Sequence, residues 1–451
     1  MDSTSTGSDT AAGPPAQGNP NFVVILTDDQ GYGDLSALGN AFVDTPNLDA
    51  LARTGTRLTN WYANAPVCSP TRAALLTGRY PHRTGVTQIL PGHRKATGLT
   101  PGLPTIASCL QRLGYRSYLA GKWHLGAAPE CRPDRFGFDH WFGHLAGAID
   151  YYSHIQYWGM NNPGPGRNPS HDLWADGMEE WHNGRYLTDL ITDKAEDFIR
   201  EAVGEQAPFF LEIAYNAPHY PLHAPRADVE RFRNLHPDRR AYAATLFAMD
   251  RGVGRIVSVL DELHLTDNTC LIFSSDNGPS VESRNWLDGR QDPFYGSSSG
   301  GFRGGKGSLF EGGIRVPGII RWPGHVAAGA ESSTPAATMD VLPTVLAAVG
   351  EKSPSGIDGT DLLEVLGHGQ DHERVLLWQY YDQTAVRRGR YKLVRNVAEP
   401  EGGPVVASAL YDLETDPAER LDLASRLPTI VQELERELVM LTEPPGRGAS
   451  S

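Results

Sequence analysis

Short, continuous apolar runs alternate with amphipathic stretches through the first three quarters of the chain. Runs such as residues 22–27, 209–214 and 269–274 are typical of strands buried on both faces of a sheet. The stretches between them carry apolar residues at helical spacing. Strands are predicted at 22–27, 116–120, 209–214, 269–274 and 318–322, and helices at 46–52, 70–76, 105–113, 187–202, 241–263 and 339–349. This alternation predicts an α/β fold with a doubly wound, mostly parallel sheet.

The pattern changes after about Gly367, where short apolar runs are separated by turn residues. Strands are predicted at 375–378, 384–386, 391–394 and 410–411, followed by a helix at 430–441. We therefore predict a smaller C-terminal antiparallel sheet with one covering helix. The predicted division is a disordered tail at 1–20, a catalytic α/β domain at 21–366 and a C-terminal α+β subdomain at 367–451.

Composition and charge indicate a globular protein and argue against several kinds of partner. With 451 residues, 40% hydrophobic and 21% charged, the chain reads as a globular protein. A formal net charge of -14 argues against nucleic acid or an anionic membrane as partner. Residues 1–20 lack the basic and apolar regions of a signal peptide, so a cytoplasmic location is expected. The four cysteines show no CxxC spacing, which argues against a disulfide scaffold or a zinc cluster.

Acidic and amide residues follow two of the predicted strands. Asp28 and Asp29 follow the first strand, and Asp276 and Asn277 follow the strand at 269–274. Three carboxylates and an amide oxygen form a hard ligand set that suits Ca²⁺ or Mg²⁺. The same residue types are also common turn and cap residues after strands.

The most informative motif is Cys-Ser-Pro-Thr-Arg, from Cys68 to Arg72, followed by Leu-Thr-Gly-Arg at 76–79. Proline two residues after the cysteine and arginine four residues after it form the signal for conversion of cysteine to formylglycine (3-oxoalanine). The whole run resembles the signature of type I sulfatases, or arylsulfatases, of the alkaline phosphatase superfamily. Thr71 replaces the more usual serine. From the residues alone, Cys68 could instead be a buried, inert thiol.

Three further segments resemble sulfatase motifs. They are Gly-Lys-Trp-His-Leu-Gly from Gly121, Asn-Ala-Pro-His-Tyr-Pro-Leu from Asn216, and Gly-Gly-Lys-Gly from Gly304 with Phe-Glu-Gly-Gly-Ile-Arg from Phe310. The resemblance extends from residue 21 to about residue 437. It therefore implies an alkaline phosphatase-like fold for nearly the whole chain.

The resemblance also implies a role for each site residue. The Ca²⁺ ligands (with Mg²⁺ as the alternative ion) are implied to be Asp28, Asp29, Asp276, Asn277 and an oxygen of the modified Cys68. The residues that hold the sulfate are implied to be Lys122, His219 and Lys306. His124 is implied to contact the hydrated aldehyde, and Arg72 to orient the surroundings of the nucleophile. The hydrated aldehyde is a geminal diol, which can attack a sulfate ester and later expel the sulfate.

Some assignments stay open at the level of sequence. We expect His219 to protonate the leaving alcohol, with Lys306 as the competing candidate, and Asp276 to act as base. Asp150 is either a substrate-binding residue or part of a structural loop. Trp158, Trp174 and Trp181 either stack on a sugar or aryl ring or pack a loop over the sheet.

The predicted function is hydrolysis of aryl or carbohydrate sulfate monoesters. One alternative is a phosphonate or phosphodiester hydrolase of the same superfamily, which can carry the same cysteine motif. The other is a non-catalytic protein that binds sulfated glycans and keeps Cys68 unmodified. The predicted partners are a sulfated small molecule or glycan and, during maturation, the formylglycine-generating enzyme.

Overall fold

The structure is a computed structural model that describes residues 18–39, 42–156, 169–281, 296–367, 373–398 and 404–442. Most of the predicted tail at 1–20, together with Trp158, lies outside these residues. The strands are β1 (Asn21–Thr27), β2 (Thr56–Leu58), β3 (Trp61–Tyr62), β4 (Arg116–Lys122), β5 (His140–His144), β6 (Ile155–Gln156), β7 (Ser170–His171), β8 (Trp174–Ala175), β9 (Met178–Glu179), β10 (Phe209–Ala214), β11 (Thr269–Ser275), β12 (Gly318–Arg321), β13 (Ala330–Ser332), β14 (Ala336–Ala337), β15 (Val375–Tyr380), β16 (Gln383–Arg388), β17 (Tyr391–Ala398) and β18 (Val405–Asp412).

The helices connect these strands and cover the sheets. They are α1 (Pro46–Thr54), α2 (Cys68–Thr77), α3 (Ile106–Gln111), α4 (Leu187–Gly204), α5 (Arg226–Arg231), α6 (Pro237–Glu262), α7 (Glu311–Ile314), α8 (Val341–Ala348), α9 (Leu362–Gly367) and α10 (Pro428–Thr442). Short 3₁₀ helices lie at Tyr32–Asp34, Ser36–Leu38, Pro81–Arg83, Pro129–Cys131, Pro133–Phe136, Thr266–Asn268 and Thr338–Asp340. No helix in the described part of the chain has both the length and the apolar character needed to cross a bilayer.

A large mixed sheet forms the centre of the molecule. Its strand order is β13-β2-β12-β11-β1-β10-β4-β5-β8-β9. The five strands from β11 to β5 all run parallel. Antiparallel pairs, β11 with β12 and β5 with β8, flank this parallel part. The predicted mostly parallel sheet is therefore confirmed.

Helices cover both faces of this sheet, because alternate residues of its strands point to opposite sides. Val23 and Ile25 of β1 belong to the core that contains residues of α1, α4 and α6. Phe22 and Val24 belong to the core that contains residues of α2, α3 and α8. This double burial explains why the strands read as continuous apolar runs without polar alternation.

The C-terminal part forms a separate four-stranded antiparallel sheet in the order β15-β16-β17-β18. Leu434 and Leu438 of α10 share one core with Leu393 of β17. The predicted small sheet and its covering helix are thus present. Trp378 of β15 packs edge-on against Tyr62 of β3, with ring centroids 5.1 Å apart, so this sheet docks on the main domain. The exact boundary at 366/367 stays a prediction.

Several predicted boundaries differ from the structure, and two of the differences lie in segments that carry predicted site residues. The strand predicted at 116–120 continues through Lys122, because Gly121 keeps pairing with Ala214 and Gly143 on its two sides. A Cβ on Gly121 would lie 1.9 Å from the carbonyl oxygen of Ala214, so only glycine fits there. The helix predicted at 70–76 begins at Cys68. Strand β5 was not predicted, since His-Trp-Phe-Gly-His has no continuous apolar run.

Candidate active site

The site lies where the parallel strands end. Strands β1 and β11 are neighbours that pair in parallel up to Thr27 and Ser275, so the residues that follow them emerge side by side. Those residues are Asp28, Asp29, Asp276 and Asn277, and all four are buried. The structure therefore brings together the two polar pairs that the sequence places far apart.

Hydrogen bonds join the two pairs directly. The Asn277 side-chain amide donates to Asp29 Oδ1 at 2.7 Å. The backbone N–H of Asp29 donates to Asp276 Oδ1 at 3.2 Å. Asp29 has a φ of 63°, in the left-handed region. The chain turns at this residue, which lets the side chains of Asp28 and Asp29 both remain in the site.

Three cations neutralise the three carboxylates. Lys122 Nζ donates to Asp28 Oδ2 at 2.7 Å, and Lys306 Nζ donates to Asp29 Oδ2 at 2.9 Å. Arg72 donates to Asp276 Oδ2 from Nε at 3.0 Å and from Nη2 at 2.6 Å. Its Nη1 also donates to the carbonyl oxygen of Lys122 at 3.1 Å, which ties α2 to β4.

The two consecutive aspartates sit in different electrostatic environments. Burial would raise the pKa of Asp29, but Lys306 and His219 lower it to about 2. Burial raises the pKa of Asp28 well above its usual value, against the opposing effect of Lys122 and with a contribution from Asp276. Burial thus dominates at Asp28, whereas the neighbouring cations dominate at Asp29.

Cys68 is the first residue of α2 and is buried at the base of the site. Its Sγ and carboxylate oxygens of Asp28 and Asp276 all lie within 4.8 Å of one another. Burial raises the pKa of the thiol to about 11. An unmodified Cys68 is therefore protonated at neutral pH and is a poor nucleophile.

Two predicted histidines reach the same site from different loops. A ring nitrogen of His219, Nε2, lies 3.1 Å from Lys306 Nζ and 3.4 Å from Asp29 Oδ2. Its Nδ1 donates to the carbonyl oxygen of Tyr220 at 2.7 Å, since a carbonyl can only accept. His124 Nε2 donates to the carbonyl oxygen of Leu90 at 3.0 Å. Burial and the nearby Lys122 hold the pKa of His124 well below its usual value, so its ring is neutral.

A cleft of about 240 Å³ opens above these groups. Its lining includes Cys68, His124, His219 and Lys306. Tyr220 also lines the cleft and lies in the predicted segment from Asn216. The rest of the lining comes from residues that the sequence analysis did not identify, namely Ile89, Leu90, Pro91, Gly92, Gly147, Ala148 and Gln156. Most of these lie in irregular segments with no catalytic residue types, so the sequence carried no signal for them.

The buried His144 was also missed. It ends β5 and is the register partner of Lys122. Its Nδ1 donates to the carbonyl oxygen of Ala146 at 2.9 Å, and burial, reinforced by Lys122, lowers the pKa of the ring. The available signal was its position at the end of the run Trp-Phe-Gly-His, which is weak without a predicted strand.

Asp150 is not among the residues that line the cleft in the described structure. Its carboxylate accepts from the backbone N–H groups of Tyr152 at 2.9 Å and Ser153 at 2.7 Å, and it lies 3.2 Å from His223 Nδ1. These contacts hold a turn. A substrate-binding role for Asp150 stays a prediction.

The two described tryptophans of this region contact protein groups. The guanidinium groups of Arg94 and Arg132 lie 5.1 and 4.8 Å from the ring centroid of Trp174. Trp181 stacks on His171 with centroids 3.7 Å apart. These contacts favour the packing interpretation over stacking on a substrate.

Two unsatisfied oxygens test whether the site suits a cation. Asp28 Oδ1 and Asn277 Oδ1 are buried and have no hydrogen-bond partner among the described residues. A buried oxygen in this state is costly unless something outside the protein binds it. With the adjoining carboxylates of Asp29 and Asp276, the set is made of oxygens alone. These residues therefore fit a hard divalent cation such as Ca²⁺.

Comparison with protein families adds an independent finding. The family model for Sulfatase matches residues 20–351. A second model, N-sulphoglucosamine sulphohydrolase, C-terminal, matches residues 304–443. Together they cover nearly the whole of the described chain, including the C-terminal sheet.

Individual proteins agree with the family models. The chain is 37% identical to N-acetylgalactosamine-6-sulfatase from Mus musculus over 403 residues, which covers 85% of this chain and 72% of that protein. It is 33% identical to arylsulfatase A from Bos taurus over 463 residues, covering 94% and 87% of the two chains. The crystal structure of Ps i-CgsB in complex with k-i-k-neocarrahexaose superposes with a TM-score of 0.81 and 32% identity, over 93% of this chain and 92% of that chain. The chain therefore belongs to the sulfatase family, the sulfuric ester hydrolases of the alkaline phosphatase superfamily.

Proposed function

We propose that this sulfatase hydrolyses carbohydrate sulfate monoesters with a formylglycine made from Cys68 and a Ca²⁺ ion. The observation that carries the proposal is the position of Cys68 at the base of the cleft. There its side chain lies within 4.8 Å of carboxylate oxygens of Asp28 and Asp276. The ion ligands would be Asp28, Asp29, Asp276, Asn277 and the modified Cys68.

The need for a modified nucleophile follows from the environment of Cys68. A thiol with a pKa of about 11 supplies almost no thiolate at neutral pH. When formed, formylglycine supplies a geminal diol whose hydroxyl can attack sulfur. Arg72 holds Asp276 in place through two hydrogen bonds, so the carboxylate next to the nucleophile cannot swing away.

The sulfate is held from the cleft side. Lys306 Nζ and the His219 ring both line the cleft, and the charged ammonium would neutralise a bound sulfate. His219 Nε2 lies 3.1 Å from Lys306 Nζ, so a proton can pass between them to the leaving alcohol. His124 lines the cleft as a neutral ring whose Nδ1 has no hydrogen-bond partner within the described structure, and this nitrogen can accept a proton from the diol. A bound divalent cation would add positive charge beside the sulfate oxygens.

The substrate class follows from the relatives rather than from the site. One similar protein is named for N-acetylgalactosamine 6-sulfate, and a similar structure holds a neocarrahexaose. We therefore infer a sulfated sugar as the natural substrate. Small aryl sulfates are expected to serve as reporter substrates, as the similarity to arylsulfatase A suggests. Maturation would require the formylglycine-generating enzyme as a transient partner.

The test is sulfate release by protein co-expressed with the formylglycine-generating enzyme. We expect hydrolysis of 4-nitrophenyl sulfate and of sulfated sugars, and a peptide mass at Cys68 lowered by the conversion. Protein with an unmodified Cys68 should be inactive but folded. Faster turnover of an aryl phosphonate ester than of the aryl sulfate would instead identify a phosphonate hydrolase. Binding of sulfated glycans with no turnover by converted protein would contradict the proposal.

A further inference from the structure

A second hollow of about 230 Å³ lies between the main domain and the C-terminal sheet. One wall comes from the segment around His82 and Gln88, and the other from Gln379 and Tyr381. Its volume is close to the 240 Å³ of the catalytic cleft. The second hollow is therefore about as large as the cleft that is proposed to hold the sulfated sugar.

The two hollows are adjacent because one strip of chain lines both. Thr87 and Gln88 line the second hollow, and the next four residues, 89–92, line the catalytic cleft. Consecutive Cα atoms are about 3.8 Å apart, so the strip separates the hollows by only one or two residues. A linear oligosaccharide that extends from the cleft past this strip would place a neighbouring ring at the second hollow.

The other wall of the second hollow, which includes Tyr381, is also connected to the catalytic site. Tyr380 and Tyr381 lie at the tip of the hairpin between β15 and β16. Gln383, at the start of β16, donates to the carbonyl oxygen of Gly307, next to Lys306, at 3.0 Å. The hairpin is thus anchored on the loop that carries a cleft-lining lysine.

The chemistry of the hollow suits an uncharged, hydroxyl-rich ring. Its lining residues in the described structure include the amides of Gln88 and Gln379 and the hydroxyl of Thr87, and none is acidic or basic apart from His82. Burial lowers the pKa of His82, so its ring is neutral at pH 7. Tyr381 is 60% exposed and offers an aromatic face. Aromatic rings with a few hydrogen-bonding groups are suited to the apolar face and hydroxyls of a sugar.

We propose that this hollow, formed by His82, Thr87, Gln88, Gln379 and Tyr381, binds an uncharged sugar ring adjacent to the ring that carries the scissile sulfate. The chain would then prefer sulfated oligosaccharides with a neutral neighbouring sugar over monosaccharides and over uronate-containing chains. This inference rests on the proposed sulfatase activity toward carbohydrates. It adds a subsite that the catalytic residues do not require.

The test compares substrates with and without the second ring. We would measure KM and kcat for galactose 4-sulfate, a neocarratetraose sulfate with a neutral neighbouring ring, a chondroitin 6-sulfate tetrasaccharide with a uronate neighbour, and 4-nitrophenyl sulfate. Tyr381 has a φ of 52°, so Tyr381→Gly removes the ring without backbone strain. Tyr381→Phe keeps the ring and is the matched control.

We expect Tyr381→Gly to raise KM for the neocarratetraose sulfate roughly 3- to 10-fold, as for loss of one aromatic contact. Its kcat/KM for galactose 4-sulfate and for 4-nitrophenyl sulfate should stay at the wild-type value, and Tyr381→Phe should resemble wild type. Equal losses on all substrates, or no loss on any, would overturn the proposal. So would a tetrasaccharide advantage that appears only with the uronate neighbour.

Binding of desulfated neocarratetraose, measured by calorimetry, tests the hollow without catalysis. Binding that weakens in Tyr381→Gly and not in Tyr381→Phe supports the subsite even if no sulfate is released from any substrate. Sulfate release from the monosaccharide without such binding would keep the proposed function and reject the subsite.

Discussion

Two buried clusters of charged residues in the described part of the chain differ in how completely their oxygens are paired. The catalytic cluster consists of Asp28, Asp29, Arg72, Lys122, Asp276 and Lys306. The junction cluster, where the C-terminal sheet meets the main domain, consists of Tyr62, Glu311, Arg315, Arg387, Lys392 and Glu419. Both pair carboxylates with cations away from solvent.

The junction cluster is complete within the protein. Lys392 Nζ lies 2.9 Å from Glu311 Oε1 and 3.0 Å from Glu419 Oε1. The Tyr62 hydroxyl donates to Glu311 Oε2 at 2.7 Å, and the Glu311 backbone N–H donates to Glu419 Oε2 at 2.6 Å. Glu419 Oε1 makes no hydrogen bond among the described residues, but the Lys392 ammonium group faces it at 3.0 Å. Each carboxylate oxygen of Glu311 and Glu419 therefore has a donor or a cation within 3.0 Å.

The catalytic cluster is incomplete. Asp28 Oδ1 has no hydrogen-bond partner among the described residues, and Arg72 Nη2 lies 3.8 Å from it, beyond hydrogen-bond distance. Asn277 Oδ1, beside the cluster, has no hydrogen-bond partner within the described part of the chain. The comparison teaches that burial of charge alone does not mark a site. Buried oxygens left without a hydrogen-bond partner next to a cleft indicate where a bound cation would fit.

The largest expected effect is a loss of activity when the residue beside the catalytic cluster, Cys68, is replaced. Cys68→Ala removes the proposed nucleophile, and we expect sulfate release to fall by at least about 10⁴-fold, as for loss of a catalytic nucleophile. The melting temperature should change little. Cys109→Ala, which removes another buried cysteine that does not line the cleft, is the matched control. Substantial activity in Cys68→Ala would contradict the assignment.

The next largest effect concerns the junction. Lys392→Met leaves Glu311 and Glu419 without their shared ammonium group, and we expect a loss of about 3–5 kcal/mol in the free energy of unfolding in urea. Activity per folded molecule should be retained. The exposed Lys352→Met is the control. A loss no larger than that of the control would show that the junction cluster is not needed for stability.

Ca²⁺ should stabilise the folded protein by binding at the catalytic cluster, and changes in the junction cluster should not alter this effect. At a free Ca²⁺ concentration of 100 times Kd, we expect about 2.7 kcal/mol of added stability, measured by thermal unfolding with and without a chelator. The gain should be reduced in Asn277→Ala and unchanged in Glu419→Gln. If both variants respond to Ca²⁺ as the wild type does, Asn277 is not a ligand. Titration with Mg²⁺ in parallel distinguishes the two ions.

The smallest effect is a pH dependence at the junction. The pKa of Glu419 is raised from 4.5 to about 7, because burial and the adjacent Glu311 outweigh Lys392. The folded state therefore holds a proton that the unfolded state has released, between about pH 4.5 and 7. Stability should fall with rising pH across this window, by at most about 1.4 kcal/mol per pH unit, and then level off.

Glu419→Gln removes this dependence. The difference in unfolding free energy between wild type and variant should change most steeply between pH 5 and 6, more gradually around pH 7, and level off above about pH 8. Other buried acids, such as Glu212, titrate in both proteins and cancel in the difference. A constant difference across the whole range would show that Glu419 keeps an ordinary pKa.

Much of the fold followed from local pattern. Buried parallel strands are continuous apolar runs, so β1, β10 and β11 were predicted within a residue of their ends. Shorter strands such as β5 were missed because two histidines and a glycine interrupt the apolar pattern. Lys122 was placed just after β4, whereas the strand extends through it.

Part of the candidate site could likewise be predicted from the sequence. The resemblance to sulfatases implied that the polar residues after β1 and β11 share one site. The structure shows that they meet because the two strands are parallel neighbours that end at one edge of the sheet. The motif around Cys68 could be recognised because its defining residues, a cysteine, a proline and an arginine, lie within five consecutive positions. Ile89 and Gln156 lie in no such motif, and only the folded chain assigns them to the cleft.

Periodicity and short motifs therefore established the strands, the covering helices and the residues able to do chemistry. Periodicity and motifs are properties of one continuous segment, so they can be recognised without knowing which residues pack against that segment. Tertiary packing alone decided that Lys392 would close the junction around Glu311 and that Gln383 would anchor a hairpin beside Lys306. Such pairings join residues about 80 positions apart, and their energy depends on burial and distance, which no local pattern records.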